Sequence, residues 1–297
     1  MPPEALAIVI ASTFMHAGWN LLVRRGRSEL EFTRRMLIWA ALIGLAPAVL
    51  FDLFATPLGL QAWALAALAG AFCGVYFLGL AKGYSSSDFT VVYPVVRALP
   101  VILIAAVDVL LGRWPTALGW LGMMMVVGGC FLAPLPSFRA LHVRLYFNRA
   151  VGWMVLAALS TVGYTLTDKV LADHLELRFG QGPAAPLRYV CYFFLVCTGT
   201  YLLMLRVLRI RSDDNGSNGP WWAPPLAAAL SFSAYACIVW VYQFVDQVSY
   251  VAAVRQFSIV LGVVVAFVIF HEPGKLVRCT AAVMITAGLV IIGLWGN

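Results

Sequence analysis

The chain has 297 residues, of which 62% are apolar and 11% charged, with a mean hydropathy of +0.89. Soluble globular domains carry about 25% charged residues, so this composition excludes one and calls for an integral membrane protein. The formal net charge of +7 does not point to nucleic acid, because the arginines sit in short loops between apolar spans and form no basic patch with interleaved aromatics.

Ten apolar spans can be read in chain order, each bounded by polar or turn residues. Span one is about Ala5–Val23, followed by the basic loop RRGRSELEFTRR; nothing before it resembles a cleaved leader. Span two is Met36–Phe54 and span three Leu60–Leu80. Span four, Phe89–Leu111, carries Arg97 roughly 12 Å inside its start. Span five, Thr116–Leu135, is rich in the glycines that let membrane helices approach closely. Spans six to ten are Ala150–Leu171, Ala185–Leu208, Trp221–Val245, Ser249–Phe270 and Leu276–Trp295, and RSDDNGSNGP (Arg211 to Pro220) reads as the most flexible connection.

Span four occurs twice. DFTVVYPVVRALPVILIAAVDVLLGRWP aligns without a gap on DQVSYVAAVRQFSIVLGVVVAFVIFHEP at an offset of 158, so that Asp88 falls on Asp246, Arg97 on Arg255 and Pro115 on Pro273. At an offset of 145, Gly18 falls on Gly163 and Trp19 on Tyr164. Five spans per copy is an odd number, so the copies must insert in opposite directions. The expected fold is all-α, with ten transmembrane helices in two inverted five-helix repeats: 1–136, a connecting loop 137–149, and 150–297. Secondary carriers are often built this way, with the substrate site near the midplane where the halves meet.

An arginine at the depth of Arg97 costs about 3 kcal/mol or more unless a partner, a wet cavity or a ligand receives it. Arg97 and Arg255 are therefore candidates to bind a substrate carboxylate or phosphate, with a structural ion pair as the alternative. Pro94 and Pro100 flank Arg97 but have no counterparts at Ala252 and Ser258, which makes span four the expected kinked member. Tyr93 precedes Arg97 by one turn. His16, alone among ionisable groups deep in span one, suits either proton coupling or a neutral bond between helices. Trp19, Asn20, Tyr76, Tyr164 and Trp240 are candidate cavity residues. Asp88 and Asp246 read as helix N-caps, Asp108 as a structural partner near the surface, and Asp168 and Lys169 as a local pair or a contact to the other repeat.

Three segments resemble the EamA branch of the drug/metabolite transporter superfamily: His16-Ala17-Gly18-Trp19-Asn20, YFLGLAKGYSSSDFTVVYPVVRALP from Tyr76, and SYVAAVRQFSIVLG with His271-Glu272-Pro273. The resemblance implies a carrier of small organic solutes, amino acids among them, working by alternating access in the inner membrane. It also implies a cavity lined mainly by the first, third and fourth spans of each half. Where the family usually has an acid just after span four, this chain has Arg113. A flippase for a lipid-linked sugar or another phosphate-bearing lipid is the alternative within the superfamily, and a channel or intramembrane enzyme the alternative of another class. No catalytic motif, metal-ligand spacing or cofactor site is read; the expected partners are a small-molecule substrate, the bilayer and a coupling proton, with no nucleic acid.

Of the 20 lysines and arginines, 14 fall in loops on one side of the spans and four on the other. The basic side is expected to be cytoplasmic, which places both termini outside the cytoplasm. A reporter fused to the C terminus is expected to be active only where extracytoplasmic reporters are; activity of a cytoplasm-specific reporter would reverse the topology.

Overall fold

Backbone surrounded by hydrocarbon must satisfy its own N–H and C=O groups, which favours helices. The computed structural model describes residues 1–24, 28–86, 89–140, 150–210, 220–268 and 275–295, and all longer regular elements among them are helical. In chain order they are α1 (Pro3–Arg24), α2 (Glu29–Phe54), α3 (Leu60–Ser86), α4 (Phe89–Leu110), α5 (Ala117–Leu132) and α6 (Val151–Phe179). The remainder are α7 (Ala184–Val207), α8 (Ala223–Val241), α9 (Val248–Val254), α10 (Phe257–Val268) and α11 (Lys275–Trp295). Six of them, α1, α2, α3, α7, α8 and α11, are long and apolar enough to cross a membrane. On α2 the exposed residues Trp39, Leu42, Val49 and Leu53 form the greasy stripe expected of a lipid face.

Helix ends follow local chemistry. Ser28 caps α2 by accepting the Glu31 N–H at 3.4 Å, and the Glu31 carboxylate accepts from Arg34 at 2.6 Å and Arg35 at 2.7 Å. Thr116 caps α5 by accepting the Gly119 N–H at 3.0 Å. α6 runs eight residues beyond the expected Leu171 and stops at Gly180, whose φ of 77° is open to glycine at little cost.

Two expectations are corrected, and an unexpected break is found. Span four is a single helix, α4, and its copy breaks between α9 and α10 at Arg255 and Gln256. The break is stabilised by polar side chains: Gln256 Nε2 donates to the Ala252 carbonyl and Ser258 Oγ to the Arg255 carbonyl, both at 3.0 Å. Asp246 does not cap the ninth span; the N-cap position is Gln247, which makes no side-chain capping bond. Asp108 of α4, fully buried, accepts the Ser249 N–H there at 2.8 Å. Asp168 and Lys169 do not pair either, since Lys169 Nζ donates to Asp173 at 2.7 Å and to the Tyr242 carbonyl at 2.9 Å. Asp88, His271, Glu272, Pro273 and the loop 211–219 lie outside the described residues.

Helices from the two halves of the chain pack in pairs, antiparallel for α2 with α7 and for α5 with α11. Along α2 and α7, Tyr201 donates to the Leu30 carbonyl, Thr198 to Leu37, Tyr192 to Ala48 and Arg188 to Thr56, at 3.1, 2.8, 3.2 and 2.8 Å. α4 meets α9 through Asp108, and α5 meets α11 through a glycine seam. In that seam a Cβ on Gly122 would fall 2.7 Å from the Gly288 carbonyl oxygen, so only glycine fits. The side chains condense into two clusters. One gathers α2, α3 and α7 with most of α6 and α8, and the other α5, α9, α10 and α11. α4 belongs to both, with Val92 and Val96 in the first cluster and Ala98 and Val101 in the second. Arg97 is the residue at the crossing.

Gly122→Leu is expected to destabilise the fold by about 1–3 kcal/mol, the usual cost of overpacking. Thermal unfolding in detergent reads this as a lower Tm, and an unchanged Tm would mean that the α5–α11 seam is not closely packed.

Candidate functional site

Where the two clusters meet, neither fills the space, and a cavity of about 60 Å³ remains. That is room for about four waters. Its walls come from α1, α3, α4, α6 and α8 and from the break between α9 and α10, with Phe193 and Phe194 of α7 closing one side. Of the candidate residues, His16, Trp19, Tyr76, Arg97, Tyr164 and Arg255 face this cavity.

The remaining candidates are elsewhere. Asn20 Nδ2 donates to the His16 carbonyl at 2.7 Å, a bond within its own helix. Trp240 packs edge-on against Phe244 with ring centroids 6.0 Å apart and is not part of the wall. Tyr93 belongs to α4, but its side chain lies outside the described residues.

α1 presents His16 and Trp19 one turn apart, so both reach the same wall. Trp19 Nε1–H points at His16 Nδ1 at 3.1 Å, and the Arg97 guanidinium meets His16 Nε2 at 2.8 Å. Indole and guanidinium can only donate. A neutral imidazole can accept from one of them, whereas an imidazolium would turn an N–H toward a donor on both sides. The proton-carrying role expected as one possibility for His16 therefore conflicts with its surroundings in this conformation.

Arg255 stands on the wall as the C-cap residue of α9, at the start of the break before α10. Arg97 and Arg255 line the same cavity, with His16 against Arg97. Aromatic rings make up much of the remaining wall. Tyr76 and Tyr164 meet edge-on with centroids 5.9 Å apart, Tyr164 and Tyr235 at 6.2 Å, and Tyr235 stacks on Phe193 at 4.2 Å. Among the described residues no carboxylate lines the cavity, and no group of three or more His, Cys, Asp or Glu is placed to hold a metal. Chemically, the site is a small, aromatic-walled cavity with two guanidinium-bearing residues on its wall.

Sequence reasoning missed Tyr235, Gln256 and the layer behind the wall. Asp168 accepts from Tyr189 Oη at 2.5 Å and from the Tyr235 hydroxyl. A signal was present: Thr161, Tyr164, Thr165 and Asp168 follow the i, i+3, i+4, i+7 spacing of one helix face. Three of these four line the cavity.

Residues 4–134 match the model of the EamA-like transporter family. No curated protein matches the chain. A crystal structure of another protein superposes with a TM-score of 0.71 at 14% identity, covering 100% of this chain and 98% of that one. At that identity the likeness is one of fold.

If the cavity is the hydrated face of α6, Thr161→Cys in a Cys73→Ser background should react with a small polar thiol reagent. Leu159→Cys, on the exposed opposite face, should react far more slowly, because a thiol in hydrocarbon does not ionise. The reverse order of rates would exclude the cavity as a water-filled site.

Proposed function

We propose that the chain, whose residues 4–134 match the EamA-like transporter family, is a secondary carrier for a small carboxylate-bearing metabolite. Amino acids are the leading substrate class, moved across the inner membrane by alternating access with both termini outside the cytoplasm. The six long apolar helices support a multi-pass membrane protein. In this reading α4, α5, α6 and the broken α9–α10 complete ten spans, in repeats covering 1–136 and 150–297.

The inverted arrangement is supported by the helix pairing. In a five-span count, α2 corresponds to α7, α4 to α9–α10 and α5 to α11; each packs against its counterpart, and the α2–α7 and α5–α11 pairs are antiparallel. Two units related by an axis in the membrane plane would pair in this way.

The observation that carries the substrate class is that Arg97 and Arg255, from corresponding helices, face one cavity with no carboxylate on its described wall. Guanidinium forks match carboxylates in shape as well as charge. The free volume of about 60 Å³ is well below the 300–1,000 Å³ of open ligand sites. Loading then requires the two clusters to part along the seam. A lipid-linked sugar would need a far larger groove, which favours the small metabolite over the flippase.

The direct test is counterflow of labelled amino and organic acids in proteoliposomes holding the purified chain. Arg97→Ala and Arg255→Ala should each raise the KM for the transported acid about 10- to 100-fold, the equivalent of losing a charged hydrogen bond of about 1.5–3 kcal/mol. Unchanged kinetics in both would remove the anion-binding role, and chemical turnover without vectorial movement would replace the carrier by an enzyme.

A further inference from the structure

Asp168 lies one helical turn behind the cavity wall on α6 and is 1% exposed. A carboxylate so buried ordinarily needs a cation or a set of strong donors. Its donors are two phenols, Tyr189 of α7 on Oδ1 and Tyr235 of α8 on Oδ2. Among the described residues it has no ion-pair partner, because Lys169 is turned to Asp173 and the Tyr242 carbonyl.

The groups around it can be named element by element. α3 brings the Cys73 thiol, α7 brings Tyr189, and Tyr235 and Tyr242 come from α8 and its end. Arg255 acts on it electrostatically from the α9–α10 break. On α4, the Arg97 guanidinium is turned to His16. The other buried carboxylates have fixed structural duties: Glu31 holds Arg34 and Arg35, and Asp108 caps α9. Asp168 alone among these is reached from the cavity through a titratable hydroxyl, since Tyr235 is itself part of the wall.

We infer that Asp168 is a proton-binding site loaded from the cavity through Tyr235, and that its protonation promotes binding of the anionic substrate. The second half of this rests on the carrier reading above; the first half does not. In the loading step a hydronium in the cavity gives a proton to Tyr235 Oη as Tyr235 passes its own hydroxyl proton to Asp168 Oδ2. One O–H bond breaks and one forms at the phenol, a carboxylic O–H forms, and a neutral water is left. Asp168 Oδ2 becomes the donor and Tyr235 Oη the acceptor, so the remaining phenol hydrogen is released toward the cavity. At the same time the negative charge behind Arg255 disappears. Both changes favour an anion between the arginines, and by linkage a bound anion favours the proton to the same degree. The sign is that of proton–anion symport. His16 is not an equivalent carrier, because both of its ring nitrogens face donors.

The experiment has two independent arms on the purified full chain. Infrared difference spectra on acidification need no substrate, and should show a protonated-carboxyl C=O band in the wild type that is lost in Asp168→Asn. Tyr235→Phe keeps the ring on Phe193 but removes a hydrogen-bond partner, and should shift that band to higher frequency. The second arm uses proteoliposomes and an acid that exchanges in counterflow. An inward acid gradient should stimulate uptake by the wild type, and Asp168→Asn should lose the stimulation while keeping counterflow. If Asp168→Asn does not fold, the Tyr235→Phe shift decides the assignment. A band that survives Asp168→Asn, or does not move in Tyr235→Phe, overturns the proton site. Stimulation that persists in Asp168→Asn overturns the coupling. Wild-type counterflow indifferent to pH would remove the coupling and leave the carrier standing, whereas a titrating band without counterflow of any acid would keep the proton site and remove the carrier.

Discussion

A guanidinium cannot be left in hydrocarbon, and this protein carries two of them on the wall of its central cavity. The cost of placing a cation at membrane depth is met by protein surroundings, not by lipid. Arg97 occupies the point where α4 passes from one packed cluster to the other, and Arg255 the point where the ninth apolar stretch stops being a regular helix. Both positions are discontinuities of packing. A close-packed interior has few spaces wider than a water molecule, so the seam that accommodates two cations is also the place where a cavity can persist.

The same constraint explains how the remaining polar groups are arranged. Water is scarce in the interior, so side chains serve backbone atoms directly. The α7 side chains donate to carbonyls along α2, and Asp108 of α4 caps α9 in place of a local residue. The behaviour of span four and its copy illustrates how packing overrules propensity. Proline lacks a donor and favours a kink, yet α4 continues, fixed between two clusters. The copy has no proline at the matching positions and breaks, because Gln256 and Ser258 can bind the carbonyls that the break exposes. A break is tolerated where its backbone groups find partners beside a cavity.

The two kinds of interhelical contact suggest how a carrier of this shape would divide its work. The α5–α11 and α3–α6 contacts bring glycine against backbone or ring atoms, as where Gly122 meets Gly288 and Gly163 meets Phe72. Such surfaces have little side-chain structure to interlock and can slide or tilt over small distances. The cavity wall is different in kind, made of aromatic rings and of donors that form a connected set from Trp19 through His16 to Arg97. A charge change at Asp168, reached through Tyr235, would act on that wall directly.

Composition and hydrophobic periodicity alone were enough to show a multi-pass helical membrane protein, because a bilayer imposes length and apolarity on each crossing segment. Internal duplication alone singled out Arg97 and Arg255 as related residues, since the copies align without a gap through both. Six of the nine candidate side chains could be picked in this way, because ionisable or aromatic residues deep in a span are conspicuous in one dimension. The tertiary structure decided what those residues do to each other. That Trp19 and Arg97 both present donors to His16, that Asn20 bonds its own helix, and that Trp240 packs on Phe244 depend on side-chain direction, which spacing does not specify. The Asp168 cluster joins residues 168, 189 and 235 from three helices. Its carboxylate is legible in the sequence as a polar residue on one face of α6, but the two phenols that complete it are brought there only by the packing of α7 and α8.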